Sequence, residues 1–262
     1  MQMLRILPAA LAILFLISCN KLVDHIKDHL DGDDKTYRIE TWTLIDHSGQ
    51  YRPGKITYNE NNDPLSVTFD TATNNIHWLF NYDKHGRLSK SWKFMSDPYF
   101  EEFYDEYRIY KYNNKGQIVS DTNYSYGWWD TIPTPQNTYF WETFYTYDPK
   151  GRLIQYVEKY PDLGPGIPAN EITFNLTYDE DGNLVIPGAY VYDNKLSFMR
   201  TNKIWMFLNR NYSVNNPIPA VSYNNRRLPL VFDYEITQPA WTTPTFLGTP
   251  FYSSTFTYKK IK

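Results

Sequence analysis

The 262-residue chain has a single cysteine, Cys19, and little in the way of long hydrophobic runs. One cysteine excludes an intrachain disulfide framework and a multi-cysteine zinc site, so burial and hydrogen bonds must hold the fold. The apolar stretch 6–17 is twelve residues, interrupted by Pro8, and too short to span a bilayer. Charge of one sign is also lacking: 26 Lys and Arg stand against 29 Asp and Glu, a net charge of −3. The basic pairs Arg226-Arg227 and Lys259-Lys260 read as solvated strand ends and leave no clustered face for nucleic acid. Nucleophile elbows, His-Glu-x-x-His and phosphate-cradling glycine loops are absent, and Gly164-Pro165-Gly166 reads as a plain loop. No cofactor or metal is expected. His25 and His29 are four apart, but they lie in a polar segment without a third ligand at a usable spacing.

Aromatics, by contrast, are abundant: 24 Tyr, 15 Phe and 8 Trp, 18% of the chain. Flat rings suit a pleated, half-buried surface and favour strands. From Tyr37 onward the pattern has period two. Ile76, Trp78, Phe80 and Tyr82 alternate with other residues, as do Ile172, Phe174, Leu176 and Tyr178, so each run offers one apolar stripe. After the turns Leu88, Trp92 and Phe94 continue one face, with Lys90 interrupting it.

Between these runs a turn recurs, and a repeated turn implies a repeated supersecondary unit. It is carried by Asp46 and Gly49, Asp83 and Gly86, Asn113 and Gly116, Asp148 and Gly151, and Asp179 and Gly182. In the last four a tyrosine comes immediately before the acid or amide, and an aliphatic residue comes two after the glycine. Asp or Asn suits the first position of a type I turn, and glycine the position where φ must be positive, which gives a three-residue hairpin loop with a glycine bulge. Tyr58–Leu65, Tyr192–Leu196 and Tyr223–Leu228 read as degenerate copies without the glycine. The expected fold is all-β: an antiparallel meander on the order of a dozen strands, forming a curved sheet or partly closed barrel with aromatics on its concave face.

Tyr-Asp-x-x-Gly-Arg-Leu occurs intact at 82–88 and 147–153 and resembles the YD repeat of RHS-type proteins. The resemblance spans about 56–228 and implies stacked hairpins, while fewer copies at wider spacing argue against a sealed shell. Leu16-Ile17-Ser18-Cys19, after the apolar stretch, resembles the lipobox of bacterial lipoproteins. That resemblance implies a signal peptide at 1–18, an acylated Cys19 opening a polar tether at 19–36, and a β domain at 37–262. The combination is similar to Bacteroidetes lipoproteins and implies an outer-membrane location in the cell envelope, with the membrane reached through the N-terminal lipid. Asp70-Thr71-Ala72 and Asp130-Thr131-Ile132 resemble the Bacteroidetes O-glycosylation site.

For ligand binding the candidates are Tyr126, Trp128 and Trp129, in a Gly/Pro-rich stretch where an exposed ring could stack on a sugar. Glu101, Glu102, Asp105 and Glu106 cluster carboxylates of the type glycoside hydrolysis needs, but period-two placement scatters them over both faces, and a solvated strand entry explains them. The expected function is a lipid-anchored, non-catalytic envelope protein presenting a curved aromatic-rich surface to a glycan or another envelope protein. A structural scaffold or spacer, and a glycoside-type hydrolase, remain the alternatives.

Overall fold

The alternating runs become strands that pair in chain order. A computed structural model describes residues 36–45, 51–69, 75–97, 100–128, 139–186, 191–233, 245–250 and 253–261. Ten strands come first: β1 (Tyr37–Ile45), β2 (Tyr51–Tyr58), β3 (Pro64–Phe69), β4 (Asn75–Tyr82), β5 (Leu88–Asp97), β6 (Phe100–Tyr112), β7 (Ile118–Trp128), β8 (Tyr139–Tyr147), β9 (Leu153–Tyr160) and β10 (Asn170–Asn175). A 3₁₀ turn (Phe198–Thr201) and a short helix α1 (Lys203–Leu208) follow, then β11 (Ser222–Tyr223), β12 (Pro229–Asp233), β13 (Thr245–Phe246), β14 (Thr249–Pro250) and β15 (Ser253–Lys260). Thirteen of these form one antiparallel sheet in the order β10 to β1, then β15, β12 and β11, while β13 and β14 make a separate hairpin. The meander is as expected, and the sheet is open rather than closed into a barrel.

The turns explain each letter of the repeat. In 83–87 the Asp83 N–H donates to Arg87 O and the Gly86 N–H to Asp83 O, and Gly86 takes φ +72°. Asp83 Oδ1 accepts from the N–H groups of His85 and Arg87, and its Oδ2 holds the Arg87 guanidinium at 2.7 Å. The loops 113–117, 148–152 and 179–183 close with the same pair of backbone bonds. So do 59–63 and 224–228, where Asn62 (φ 63°) and Arg227 (φ 65°) stand in the glycine position. Those two copies are degenerate in sequence but not in geometry. Asparagine tolerates a left-handed backbone, whereas at Arg227 surrounding contacts must offset the strain.

The tyrosine links neighbouring repeats. Tyr82 donates to Pro64 O, Tyr112 to Leu88 O, Tyr147 to Ile118 O and Tyr178 to Leu153 O, at 2.7–3.0 Å. Each acceptor is the first strand residue after the preceding turn. The arginine reaches forward in return: Arg87 lies 4.7 Å over the Tyr112 ring and Arg152 4.4 Å over Tyr178. Tyr147→Phe should therefore cost about 1 kcal/mol, because the Ile118 carbonyl loses its donor. Thermal denaturation should report a fall of roughly 2–4 °C, and an unchanged melting temperature would show that the clasp contributes nothing.

The turn carboxylates also set an acid limit. The Arg87 backbone N–H, then its guanidinium, lowers the Asp83 carboxyl from 3.8 to about 2. Burial opposes the same shift at Asp148, but the Arg152 N–H and guanidinium outweigh it. A lowered folded-state pKa contributes stability that is complete above the unfolded value and lost as pH falls through the folded one. The share due to Asp83 should hold down to about pH 4 and disappear towards pH 2. Asp83→Asn keeps an acceptor in the turn, as Asn113 does naturally, so it should flatten that part of the melting-temperature profile. An unaltered acid slope in the variant would refute this assignment.

The core lies on one face. Phe198 packs on Phe256 of β15 at 4.7 Å, Trp205 on Phe80 of β4 at 5.9 Å, and Phe207 on Tyr145 of β8 at 5.1 Å. Eight strand spacings separate β15 from β8, about 38 Å if the sheet were flat. The cap from 198 to 208 is only roughly 17 Å long, so the sheet must curl around it. Aromatics line this concave side as expected, with Trp78 and Phe80 of β4, Tyr110 of β6 and Tyr145 of β8 in the core under the cap, but across β4–β8 the other face carries rings too. There a row of Leu79, Trp92, Tyr107, Tyr124 and Phe140, each opposite the next in register, runs over the outer face. Its rings are 5.0–6.0 Å apart. The inner face of the same strands carries charged side chains beside its aromatics.

Candidate functional site

Along β6, Glu106, Arg108 and Tyr110 point inward while Tyr107 and Ile109 belong to the outer face, the alternation a strand imposes. Register assembles the rest. Lys93 lies opposite Glu106, and Ser91 opposite Arg108. On the other side Asn123 faces Arg108 and Asp121 faces Tyr110. Trp141 and Thr143 of β8 continue those two rows, and Glu158 of β9 lies opposite Thr143. From the cap, Arg210 reaches down two residues after α1, with its guanidinium 3.9 Å over the Tyr156 ring.

The charges are paired within β6, between strands and from the cap. Arg108 holds Glu106 at 2.9 Å and Asp121 at 3.5 Å, and Tyr145 donates its hydroxyl to the other Asp121 oxygen. Arg210 holds Glu158 at 3.1 Å, Tyr160 donates to Glu158 at 2.7 Å, and Lys93 bonds Asp105 at 2.7 Å. The Asp121 side chain is fully buried, and burial pushes its carboxyl up, against the pull of Arg108 and Tyr145. Burial also opposes ionisation of Glu106, but the Arg108 guanidinium holds it below the usual carboxylate range. Between this wall and the cap is a cavity of about 290 Å³, lined by Trp78, Lys93, Glu106, Arg108, Glu158 and Arg210 among others.

Beside the paired charges lies a set of polar atoms without protein partners. Both amide atoms of Asn123, the Thr143 hydroxyl and the Trp141 indole nitrogen are buried and have no hydrogen-bond partner among the described residues. Asn123 and Thr143 are 0% exposed. Buried polar groups in folded proteins are nearly always bonded, so four such atoms on adjacent strands need an explanation beyond packing. Rings flank them: Trp141 stacks on Tyr160 at 5.8 Å, and Tyr156 on Phe174 at 4.5 Å. The arrangement offers donors, acceptors and flat apolar faces. Its carboxylates Glu106, Asp121 and Glu158 are each engaged by a cation.

No protein-family model matches the chain, and no curated protein does. Among solved structures, a match is found to the crystal structure of TcdB2-TccC3 without its hypervariable C-terminal region, at 16% identity and a TM-score of 0.30. It covers 56% of this chain and 8% of that one.

Among the described residues, the ligand-binding candidates taken from the sequence do not lie in this patch. Cys19, Asp46, Gly49 and Trp129 lie outside the described residues, as do 1–18, most of the tether and both O-glycosylation-like threonines. Tyr126 and Trp128 belong to β7, not to a loop, and Trp128 is in register with Phe103. It is five residues beyond Asn123, about 17 Å along the strand, so the fold does not bring it into the polar patch. The turn residues Asp83, Gly86, Asn113, Gly116, Asp148, Gly151, Asp179 and Gly182 mark the opposite end of the sheet. Asp105 and Glu106, read as a solvated strand entry, lie within β6, each bonded to a cation. Arg108, Asp121, Asn123, Thr143 and Glu158 went unnoticed. The available signal was polar residues at period two, Glu106/Arg108 and Asp121/Asn123, alternating with aromatics that also needed a face to pack on.

Proposed function

We propose that the protein is a lipid-anchored, non-catalytic envelope protein that binds a polyhydroxylated ligand, such as a glycan, in the polar cavity beneath the cap. The observation that carries this reading is the cavity walled by Glu106, Arg108, Glu158 and Arg210, with the buried, unpartnered atoms of Asn123, Thr143 and Trp141 on the strands beside it. Sugar hydroxyls would bond the charged side chains that line the cavity, a ligand reaching past Arg108 would complete the bonds of Asn123 and Thr143, and the Trp141–Tyr160 stack offers a ring face nearby. The lipobox-like Leu16–Cys19 supports the anchor and an outer-membrane location, and the YD-like turns support kinship with RHS-type repeats. An intact mass equal to the unacylated chain would refute the anchor.

A glycan-array screen of the full chain in phosphatidylcholine nanodiscs, followed by tryptophan-fluorescence titration, tests the binding reading. Asn123→Leu should abolish binding while leaving the melting temperature unchanged or higher, because it removes a buried polar group that has no protein partner. Arg210→Ala should weaken binding more than tenfold, and Trp128→Ala should leave it intact. A screen without hits, or binding that survives Asn123→Leu, would favour a purely structural role.

A further inference from the structure

The cap divides the inner face, and a second cavity opens on its other side, at the turn end of the sheet. It is the larger of the two, about 700 Å³. Its floor is apolar: Leu88 and Ile118, the first residues of β5 and β7, face Ile204, Met206 and Phe207 of α1. All five side chains are buried. Tyr112 and Tyr147 also line it, but their hydroxyls are committed to the carbonyls of Leu88 and Ile118, so they contribute ring surface.

The rim is cationic. Arg87, Lys150, Arg152, Arg200 and Lys203 all contribute to the lining, and no carboxylate does so among the described residues. Asp83 and Asp148 neutralise Arg87 and Arg152 from behind. Lys150 and Lys203 are exposed and have no ion-pair partner among the described residues. They come from different elements, the 148–152 turn and the first residue of α1, and the fold sets them around one apolar recess. A chain whose net charge is −3 thus concentrates positive charge at this mouth, where field lines from several cations add.

We infer that this cavity is a binding site for an organic anion, a phosphate monoester joined to an apolar body, distinct from the polar cavity across the cap. The head group would sit among Lys150, Lys203 and the two turn arginines, which can each present a charge-assisted donor to an oxyanion. The apolar part would cover Leu88, Ile118 and Met206. The same chemistry is found in soluble aryl or alkyl phosphates and in the head of an anionic lipid, and the protein's proposed place beside a membrane makes both sources relevant.

Calorimetric titration of the full chain in phosphatidylcholine nanodiscs with 1-naphthyl phosphate tests the inference. Saturable binding is expected, weakened by added salt. Inorganic phosphate should bind at least tenfold more weakly, lacking the apolar body, and the neutral 1-naphthalenemethanol likewise, lacking the charge. The Lys150→Ala/Lys203→Ala pair should lower affinity by about tenfold or more, whereas Lys115→Ala, in a neighbouring turn but outside the lining, should not. Repeating the titration in nanodiscs containing phosphatidic acid separates the sources. Weaker naphthyl phosphate binding there would assign the site to a lipid head group, and unchanged binding to a soluble ligand. No binding, equal binding of the neutral compound, or an affinity indifferent to the lysine pair would overturn the inference.

Discussion

Arg108→Met is expected to destabilise the domain by about 3–5 kcal/mol at neutral pH. The guanidinium lies between Glu106 at 2.9 Å and Asp121 at 3.5 Å, and the Asp121 side chain is fully buried. Without Arg108, that carboxylate keeps only the Tyr145 hydroxyl as a bonded partner among the described residues. Breaking a buried pair from one side leaves an uncompensated charge in a low-dielectric setting, which is where single substitutions become severe. The pH dependence follows from the sign of the shift. Burial already raises the Asp121 pKa, and losing the cation raises it further. An acid with a raised folded-state pKa costs stability above that pKa, and the cost vanishes once both folded and unfolded states are protonated. The deficit should therefore be largest at neutral pH and narrow on acidification. Urea denaturation at several pH values would measure it. Adding Asp121→Asn to Arg108→Met should recover part of the loss, as coupled neighbours do in a double-mutant cycle. A deficit independent of pH would mean that Asp121 is not the charge left stranded.

Gly54→Val should be about as damaging, and even Gly54→Ala should cost about 2–3 kcal/mol. Gly54 lies in β2 between Trp42 of β1 and Phe69 of β3, directly opposite both. A Cβ there would come within 2.5 Å of the Trp42 carbonyl oxygen and 2.6 Å of the Phe69 ring. The ring can rotate, but the carbonyl belongs to a strand paired on both sides, so relief requires moving backbone. Alanine in a strand is ordinarily no worse than glycine, which makes the sign of the result informative. Gly151 has the opposite character: φ is +80° and a side chain there would meet nothing within 4 Å of its Cβ, so its requirement is conformational alone. Thermal melts of Gly54→Ala would decide the matter, and a change under about 1 °C would contradict the close approach of β1, β2 and β3.

What could be read without the structure follows how local each determinant is. The turn at 83–87 needs only Asp83, Gly86 and Arg87, all within five residues, so its hairpin was legible from spacing. The helix α1 was not. Its six residues would not hold as a helix alone, and it exists because Trp205 and Phe207 bury against β4, β6 and β8. The strand next to β1 was equally hidden, since Thr41 pairs with Thr257 across nearly the whole chain.

The polar patch shows the same division. Period two announces that Glu106 and Arg108 share a face, but not which face is covered. With rings at Tyr107, Tyr124 and Phe140 on the neighbouring positions, the hydrophobic rule pointed to the wrong side. By itself the sequence determined the hairpins, their glycine-dependent loops and the class of sheet, because those follow from backbone torsions and nearest neighbours. Tertiary structure alone decided the curl around the cap, the burial of Asp121 and the meeting of Asn123 with Thr143 and Trp141. Strand register and a distant aromatic plug set those, and both depend on contacts between residues far apart in the chain.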